Sequence, residues 1–184
     1  MTLVGVEIAW SPDWRQALGW GAPLSVEVPR GIEQAQALSE IRAIAGDSLV
    51  QAKFRTGSTL GSSVPSPNEL ATFIGGCIAR QLGFKLTGGL HHAMSLTTPE
   101  GEDQFGFLNI ITAVHRALTQ GADVPEMEST LSQRDPAPIV DIISRMSRTD
   151  ASVVRDCFTA YGCCAVMDPI GDLASLRLIK ETTG

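Results

Sequence analysis

Five ionisable residues carry the chemical interest of this chain: Glu7, Glu27, Lys53, Arg55 and Lys85. Each lies in a short segment that otherwise reads as a β-strand. Side chains alternate across a strand, so parity sorts them into faces. In Ala52-Lys53-Phe54-Arg55-Thr56 the two cations share one face and Phe54 takes the other. In Gly83-Phe84-Lys85-Leu86-Thr87, Lys85 and Thr87 oppose Phe84 and Leu86. Val26 and Val28 oppose Ser25 and Glu27, and Val4, Val6 and Ile8 oppose Gly5 and Glu7. The same layout recurs in four segments. Parallel strands normally bury both faces and read as unbroken apolar runs, and an unpaired buried charge costs several kcal/mol. The expectation is therefore a shared polar centre in which carboxylates and cations pair and meet a small anionic ligand. Glu27 is placed there to pair with a cation or to relay a proton. The alternatives are a structural Glu–Lys–Arg network, or a solvated polar face on an antiparallel or edge arrangement.

Other polar residues cluster after these segments. Gly57–Ser66 (GSTLGSSVPS) reads either as a flexible loop or as a phosphate cradle or lid, at the position where α/β folds bind ligands. His91-His92 follows the Lys85 segment directly. Neighbouring residues of an extended segment point apart, so the two do not grip one metal together. One of them with Glu7 or Glu27 and Asp168 would make a mixed zinc or manganese site; a helix-capping or ligand-binding histidine is the other reading. Asn109 is a further candidate to reach the site, and His115 reads as an ordinary helix residue. The cysteines are Cys77, Cys157, Cys163 and Cys164. Their spacing suits no four-thiolate zinc site, and the adjacent pair reads as reduced thiols used in packing. Trp10, Trp14 and Trp20 cluster early and are expected in the core, with a partner-contacting surface as the other reading.

These groups need elements to hold them. Strands are predicted at Leu3–Ala9, Leu24–Pro29, Leu49–Thr56, Leu82–Gly88 and Gly162–Met167. Helical spacing covers Ile32–Ala45, with Gly46 as its cap, and Pro67–Leu82, introduced by Ser66-Pro67-Asn68-Glu69. Further helices are predicted at Asp103–Thr119, Pro125–Gln133, Pro138–Met146, Ala151–Ala160 and Gly171–Ile179. Leu96–Asp103 reads as a solvated loop, with Asp103 capping the helix after it. Alternation of strand and helix implies parallel pairing by right-handed crossovers. Either an open doubly wound sheet or a barrel satisfies that pattern, and five strands are too few to close an eight-stranded barrel alone.

Composition sets the outer limits. The chain has 184 residues, 43% hydrophobic and 18% charged, which suits one globular α/β domain spanning 1–184. A formal net charge of −6 without a basic run disfavours nucleic acid and anionic membranes as partners. No apolar run approaches a membrane span and no signal peptide is visible at the N-terminus, so a cytoplasmic protein is expected.

Two resemblances sharpen the expectation. Lys53-Phe54-Arg55-Thr56-Gly57, then Gly83-Phe84-Lys85-Leu86-Thr87-Gly88-Gly89 after one helix, resembles the last part of deoxyribose-phosphate aldolase over about forty residues. That resemblance implies Lys53 as the Schiff-base residue, Lys85 as its assisting cation and Gly88-Gly89 as phosphate contacts. The chain also resembles an uncharacterised bacterial family from Glu27 onward. That family's motifs K-x-R-T-G-G, F-P-S, F-K-x-T-x-G-L-H-H, H-G-F-L-N and F-G-x-C-x-F-x-E-P run in the same order. The matching residues here are Lys53 to Ser58, Val64-Pro65-Ser66, Phe84 to His92, Phe105 to Asn109, and Tyr161 to Cys164 through Asp168-Pro169. Phe105 replaces the family's histidine, and Asp168 its glutamate.

Together these imply a partial (β/α) barrel, TIM-barrel-like, of about five parallel strands with a helical C-terminal region. Either the chain is a shortened version of that barrel, or the missing wall comes from a second copy or a complementing subunit. The implied activity is an aldolase-like lyase acting on a phosphorylated or carboxylated carbonyl compound, with Lys53, Lys85 and Glu27 catalytic. Arg55, Thr56, Thr87, Gly88, Gly89, His91, His92 and Glu7 would hold the substrate. A lysine amine is neutral near pH 7 only against its free pKa of about 10.4, which nearby cations and desolvation lower. This chemistry needs no cofactor. The alternatives are a non-catalytic binding or oligomerisation subunit, and a metal-dependent hydrolase or lyase using His91 or His92.

Overall fold

A computed structural model describes residues 4–46, 49–165 and 167–180. Five parallel strands form the main sheet in the order β1-β2-β3-β4-β7. They are β1 (Val6–Ala9), β2 (Leu24–Glu27), β3 (Val50–Arg55), β4 (Phe84–Thr87) and β7 (Phe158–Tyr161). The order never reverses, so the sheet lacks the switch point of a doubly wound fold. Between β4 and β7 lies a two-stranded antiparallel hairpin, β5 (Leu96–Thr97) and β6 (Asp103–Gln104).

The helices are α1 (Gln34–Ala45), α2 (Pro67–Ala79), α3 (Phe107–Gln120), α4 (Val124–Ser132), α5 (Pro136–Arg145), α6 (Arg148–Cys157) and α7 (Met167–Ser175). Short 3-10 turns cover Trp14–Trp20 and Gly31–Glu33. Local chemistry explains several starts. The Ser66 hydroxyl accepts from the Glu69 N–H, and the Glu69 carboxylate accepts from the Ser66 N–H, with Pro67 in the first turn. Asp123 with Glu126, and Ser147 with Asp150, repeat that reciprocal cap on α4 and α6.

The core lies against the apolar face of the sheet. Val26, Ala52, Phe54, Phe84 and Leu86 bury themselves against Leu38 and Ile41 of α1, Leu70, Phe73 and Ile74 of α2, and Ile110 and Val114 of α3. Four rings run through it, with centroids 4.7 Å apart for Phe54–Phe73, and 5.4 Å for Phe73–Phe84 and Phe84–Phe158. A smaller cluster joins Ala93, Phe107, Leu108 and Ile139 to Leu173, Leu176 and Leu178. Among the described residues no helix is long and apolar enough to cross a membrane.

The structure corrects several expectations. The last strand is Phe158–Tyr161, overlapping the Ala151–Ala160 stretch whose spacing reads as helix, and among the described residues from Gly162 onward none is strand. Val166, in the segment predicted as that strand, and Leu3, in the first predicted strand, lie outside the described residues. Asp103 caps no helix: it belongs to β6, and α3 begins at Phe107 with Gly106 as its cap. The Leu96–Asp103 stretch is the hairpin. Gly46 closes α1 at a right-handed φ of −68°. Trp14 is buried, but Trp20 is exposed and Trp10 only partly covered; the Trp10 and Trp14 indole N–H groups donate to Glu40.

Candidate functional site

The five charged residues converge on the polar face of the main sheet. Strand register makes one row of Glu27, Lys53 and Lys85, with Ala9 and Ala160 at its ends. Glu7 stands one step earlier, opposite Ser25, and Arg55 one step later, opposite Thr87. The Lys53 ammonium lies 2.7 Å from one Glu7 oxygen and 2.8 Å from Glu27 Oε2. Lys85 donates to the other Glu7 oxygen at 2.6 Å. Arg55 reaches both Glu27 oxygens, Nε to Oε1 and Nη2 to Oε2, at 3.3 Å each. The result is one alternating chain, Lys85–Glu7–Lys53–Glu27–Arg55. Three cations face two carboxylates, so one positive charge is left over.

Burial grades along that chain. The Lys53 side chain is 7% exposed, whereas Glu7 on the outer strand is 39% exposed. Hydrogen bonds from Lys53 and then Lys85 hold the Glu7 carboxyl below the usual carboxylate range. For Glu27, burial alone pushes upward, but bonds from Lys53 and Arg55 outweigh it and the carboxyl is again lowered. The sign of the pH dependence follows. Both native values lie below the unfolded ones, so the stabilisation is complete above the ordinary carboxylate value. It is lost as pH falls through the lowered native value. Both groups are partly exposed, so the gain is about 1 kcal/mol after solvent screening. Glu27→Gln should therefore shrink the difference in urea stability between about pH 6 and pH 3. An unchanged pH profile would contradict the ion-pair assignment.

The carboxyl ends of β3 and β4 meet in a tight glycine contact. Thr56 is buried, and its hydroxyl donates to the Gly88 and Thr87 carbonyl oxygens. A Cβ on Gly57 would lie 3.0 Å from the Gly88 carbonyl carbon. Gly88 and Gly89 hold φ of 78° and 73°, conformations that side chains resist. Among the described residues neither the Gly88 nor the Gly89 N–H has a hydrogen-bond partner. Thr87 Oγ1, on the polar face, is buried and likewise without one.

A cavity of about 220 Å³ opens here, lined by Thr56, Gly57, Gly88, Gly89, His91 and Glu102 among others. A wider cleft of about 620 Å³ continues past Ser58, Val64 and the hairpin residues Glu102 to Gln104, which border both spaces. The Gly57–Ser66 loop forms part of that wall, tied to the hairpin by a 2.7 Å bond from Ser58 to Glu102. The charged network itself lines neither space. It lies on the open face beside them, and the stem of Arg55 passes 3.7 Å from a Cβ built on Gly88. An apolar groove of about 530 Å³ runs along β7 between α3, α5 and α6.

The remaining candidates divide. His91 faces the small cavity, and its Nδ1 is 3.9 Å from the Cys163 sulfur. His92 turns away: its Nδ1 lies 3.2 Å from Asp172, which also accepts from the Ala93 N–H at 2.8 Å, so His92 anchors α7. Asn109 does not reach the site. It is fully buried, accepts from Ser95 N–H and donates to the Thr130 and Gln133 carbonyls. Asp168 is exposed in the first turn of α7. Among the described residues no three His, Cys, Asp or Glu side chains converge as a metal site. The Cys163–His91 contact was not foreseen; it joins residues 72 positions apart and leaves no local signal.

Comparisons with protein-family models, with curated proteins and with solved structures each give no match.

Proposed function

We propose that this chain is an aldolase-like lyase acting on a small phosphorylated or carboxylated carbonyl compound through a Schiff base on Lys53. One observation carries the reading: two lysines and two glutamates interleave in contact on one face of a parallel sheet, with Lys53 nearly sequestered. Reactive lysines need a proton acceptor at hand and a nearby cation to favour the neutral amine. Glu7 and Glu27 are acceptors in direct contact, and Lys85 shares Glu7 with Lys53.

The chemistry runs as follows. Lys53 passes its proton by way of a contacting carboxylate to the substrate carbonyl oxygen, and the free amine adds to the carbonyl carbon. Water leaves and a protonated imine remains. In the cleavage direction a carboxylate takes the proton of the β-hydroxyl, the carbon–carbon bond breaks, and an aldehyde departs. The bonding pair moves toward the iminium nitrogen as an enamine. Protonation at carbon and addition of water then release the second product and restore the amine. Arg55 with the Gly88 and Gly89 amides, which have no partner among the described residues, would hold the substrate anion, and the Thr87 hydroxyl a neighbouring oxygen. Thr56 would act only by fixing the glycine loop.

The sequential strand order is that of a (β/α) barrel wall, so we place the chain as a partial barrel. Among the described residues, strands β1 and β7 each pair on one side alone in this sheet. Those edges favour a second reading, a non-catalytic subunit whose sheet is extended by another copy or a complementing chain. Borohydride reduction in the presence of a panel of aldehydes and phosphorylated ketones, followed by peptide mass mapping, separates the two. A reduced adduct confined to Lys53 is the expected result. No adduct across the panel, in a chain that self-associates, would replace the lyase reading with the subunit one.

A further inference from the structure

We infer that Cys163 and His91 form a thiol–imidazole pair that exchanges with small disulfides, making Cys163 a site of mixed-disulfide modification. The two residues follow neighbouring strands, β4 and β7, which pair at Leu86 and Tyr161. Their loops leave the same end of the sheet and bring Cys163 Sγ to 3.9 Å from His91 Nδ1, while the thiol donates to the Ala165 carbonyl oxygen at 3.2 Å. Thiolate is the reactive form of cysteine, and an imidazole in contact is the common acceptor for its proton. Cys163 is half-buried rather than sealed. The imidazole beside it borders the cavity of about 220 Å³, although Cys163 itself does not line that space.

The other thiols lack one or more of these features. Cys77 is buried, and burial pushes its thiol well above the ordinary value. Burial likewise pushes Cys157 up to about 11. Cys164 is exposed, but among the described residues no histidine contacts it. His92 is committed to Asp172, and His115 lies in α3 near Asp150. Among the described residues, Cys163 alone combines access with a contacting imidazole.

The exchange balances without a further reagent. Cys163 gives its proton to His91, and the thiolate attacks one sulfur of a low-molecular-weight disulfide. The new sulfur–sulfur bond forms as the old one breaks. The departing thiolate takes the proton from His91 and leaves as a thiol. The proposal stands apart from the lyase reading, since it uses neither Lys53 nor its carboxylates.

The test uses the full chain and glutathione disulfide. In separate Cys164→Ser and Cys163→Ser variants, the rate of adduct formation is followed by intact mass and peptide mapping. The thiol at 163 should react about tenfold faster than the thiol at 164. In the Cys164→Ser background, His91→Gln should bring the rate at 163 down to that of the exposed thiol at 164. Circular dichroism checks that His91→Gln still folds, and the ratio between the Cys164→Ser and Cys163→Ser variants, mapped at 163 and 164, stands without it. Equal rates at 163 and 164, or an unchanged rate at 163 in folded His91→Gln, would overturn the proposal.

Discussion

Lys53→Arg should abolish the borohydride adduct and lower turnover by about 10⁴-fold or more, the scale on which loss of a covalent nucleophile acts. Arginine keeps the positive charge against Glu7 and Glu27 but forms no imine, so this variant separates chemistry from structure. Lys53→Met tests the same step without the charge. It should still fold, because Glu7 keeps Lys85 and Glu27 keeps Arg55. Lys85→Met should behave differently. The adduct at Lys53 should still form, with turnover down by about 10²-fold, as expected of an assisting group rather than the nucleophile. The substrate for these measurements is whichever carbonyl compound labels the wild-type chain. Full turnover in Lys53→Arg would remove the Schiff base from the mechanism.

The largest effect on stability should come from a residue that touches no substrate. A Cβ on Gly106 would lie 2.2 Å from the Met94 carbonyl carbon and 2.4 Å from the Ser95 nitrogen. Its φ of −89° is ordinary, so the constraint is space rather than conformational freedom. Backbone cannot step aside as a long side chain can. Around this contact the Gly106 N–H donates to Ser95 Oγ, which donates to the Leu131 carbonyl, while the Ser95 N–H donates to Asn109. Displacing the Met94–Ser95 segment would break those bonds inside the protein, where unpaired polar groups are costly. Gly106→Ala should therefore destabilise by about 3 kcal/mol or more. That corresponds to a fall in Tm of roughly 10 °C for a chain of this size. A melting temperature unchanged from wild type would show that the two segments separate easily.

Much of the charged centre was legible before any coordinates, because parity within a strand is a local property. Lys53 and Arg55 had to share a face, as did Lys85 and Thr87, and the apolar partners Phe54, Phe84 and Leu86 indeed fill the core. Which charges touch was not legible, since that depends on register. Glu7 meets both lysines although its strand neighbours only β2. The last strand was misplaced for a different reason. Phe158-Thr159-Ala160-Tyr161 continues the apolar spacing of α6, and only pairing with β4 makes it strand. The hairpin escaped notice because each arm is two residues long. Side chains reinforce its backbone bonds, through the contacts of Thr97 and Arg134 with Asp103. Asn109 looked like a reaching polar group because sequence carries no sign of burial. Its amide instead serves three backbone partners.

The strand order also bears on how the chain finds its shape. Neighbours β1 to β4 follow one another in sequence, so each joint closes over a short connection. The joint between β4 and β7 spans the hairpin and four helices. Loop-closure entropy grows with the length enclosed, and contacts distant in sequence slow assembly. The entropic burden of completing the sheet thus falls on that single seam. Since Cys163 and His91 stand on its two sides, the distance between them reports whether the seam has closed.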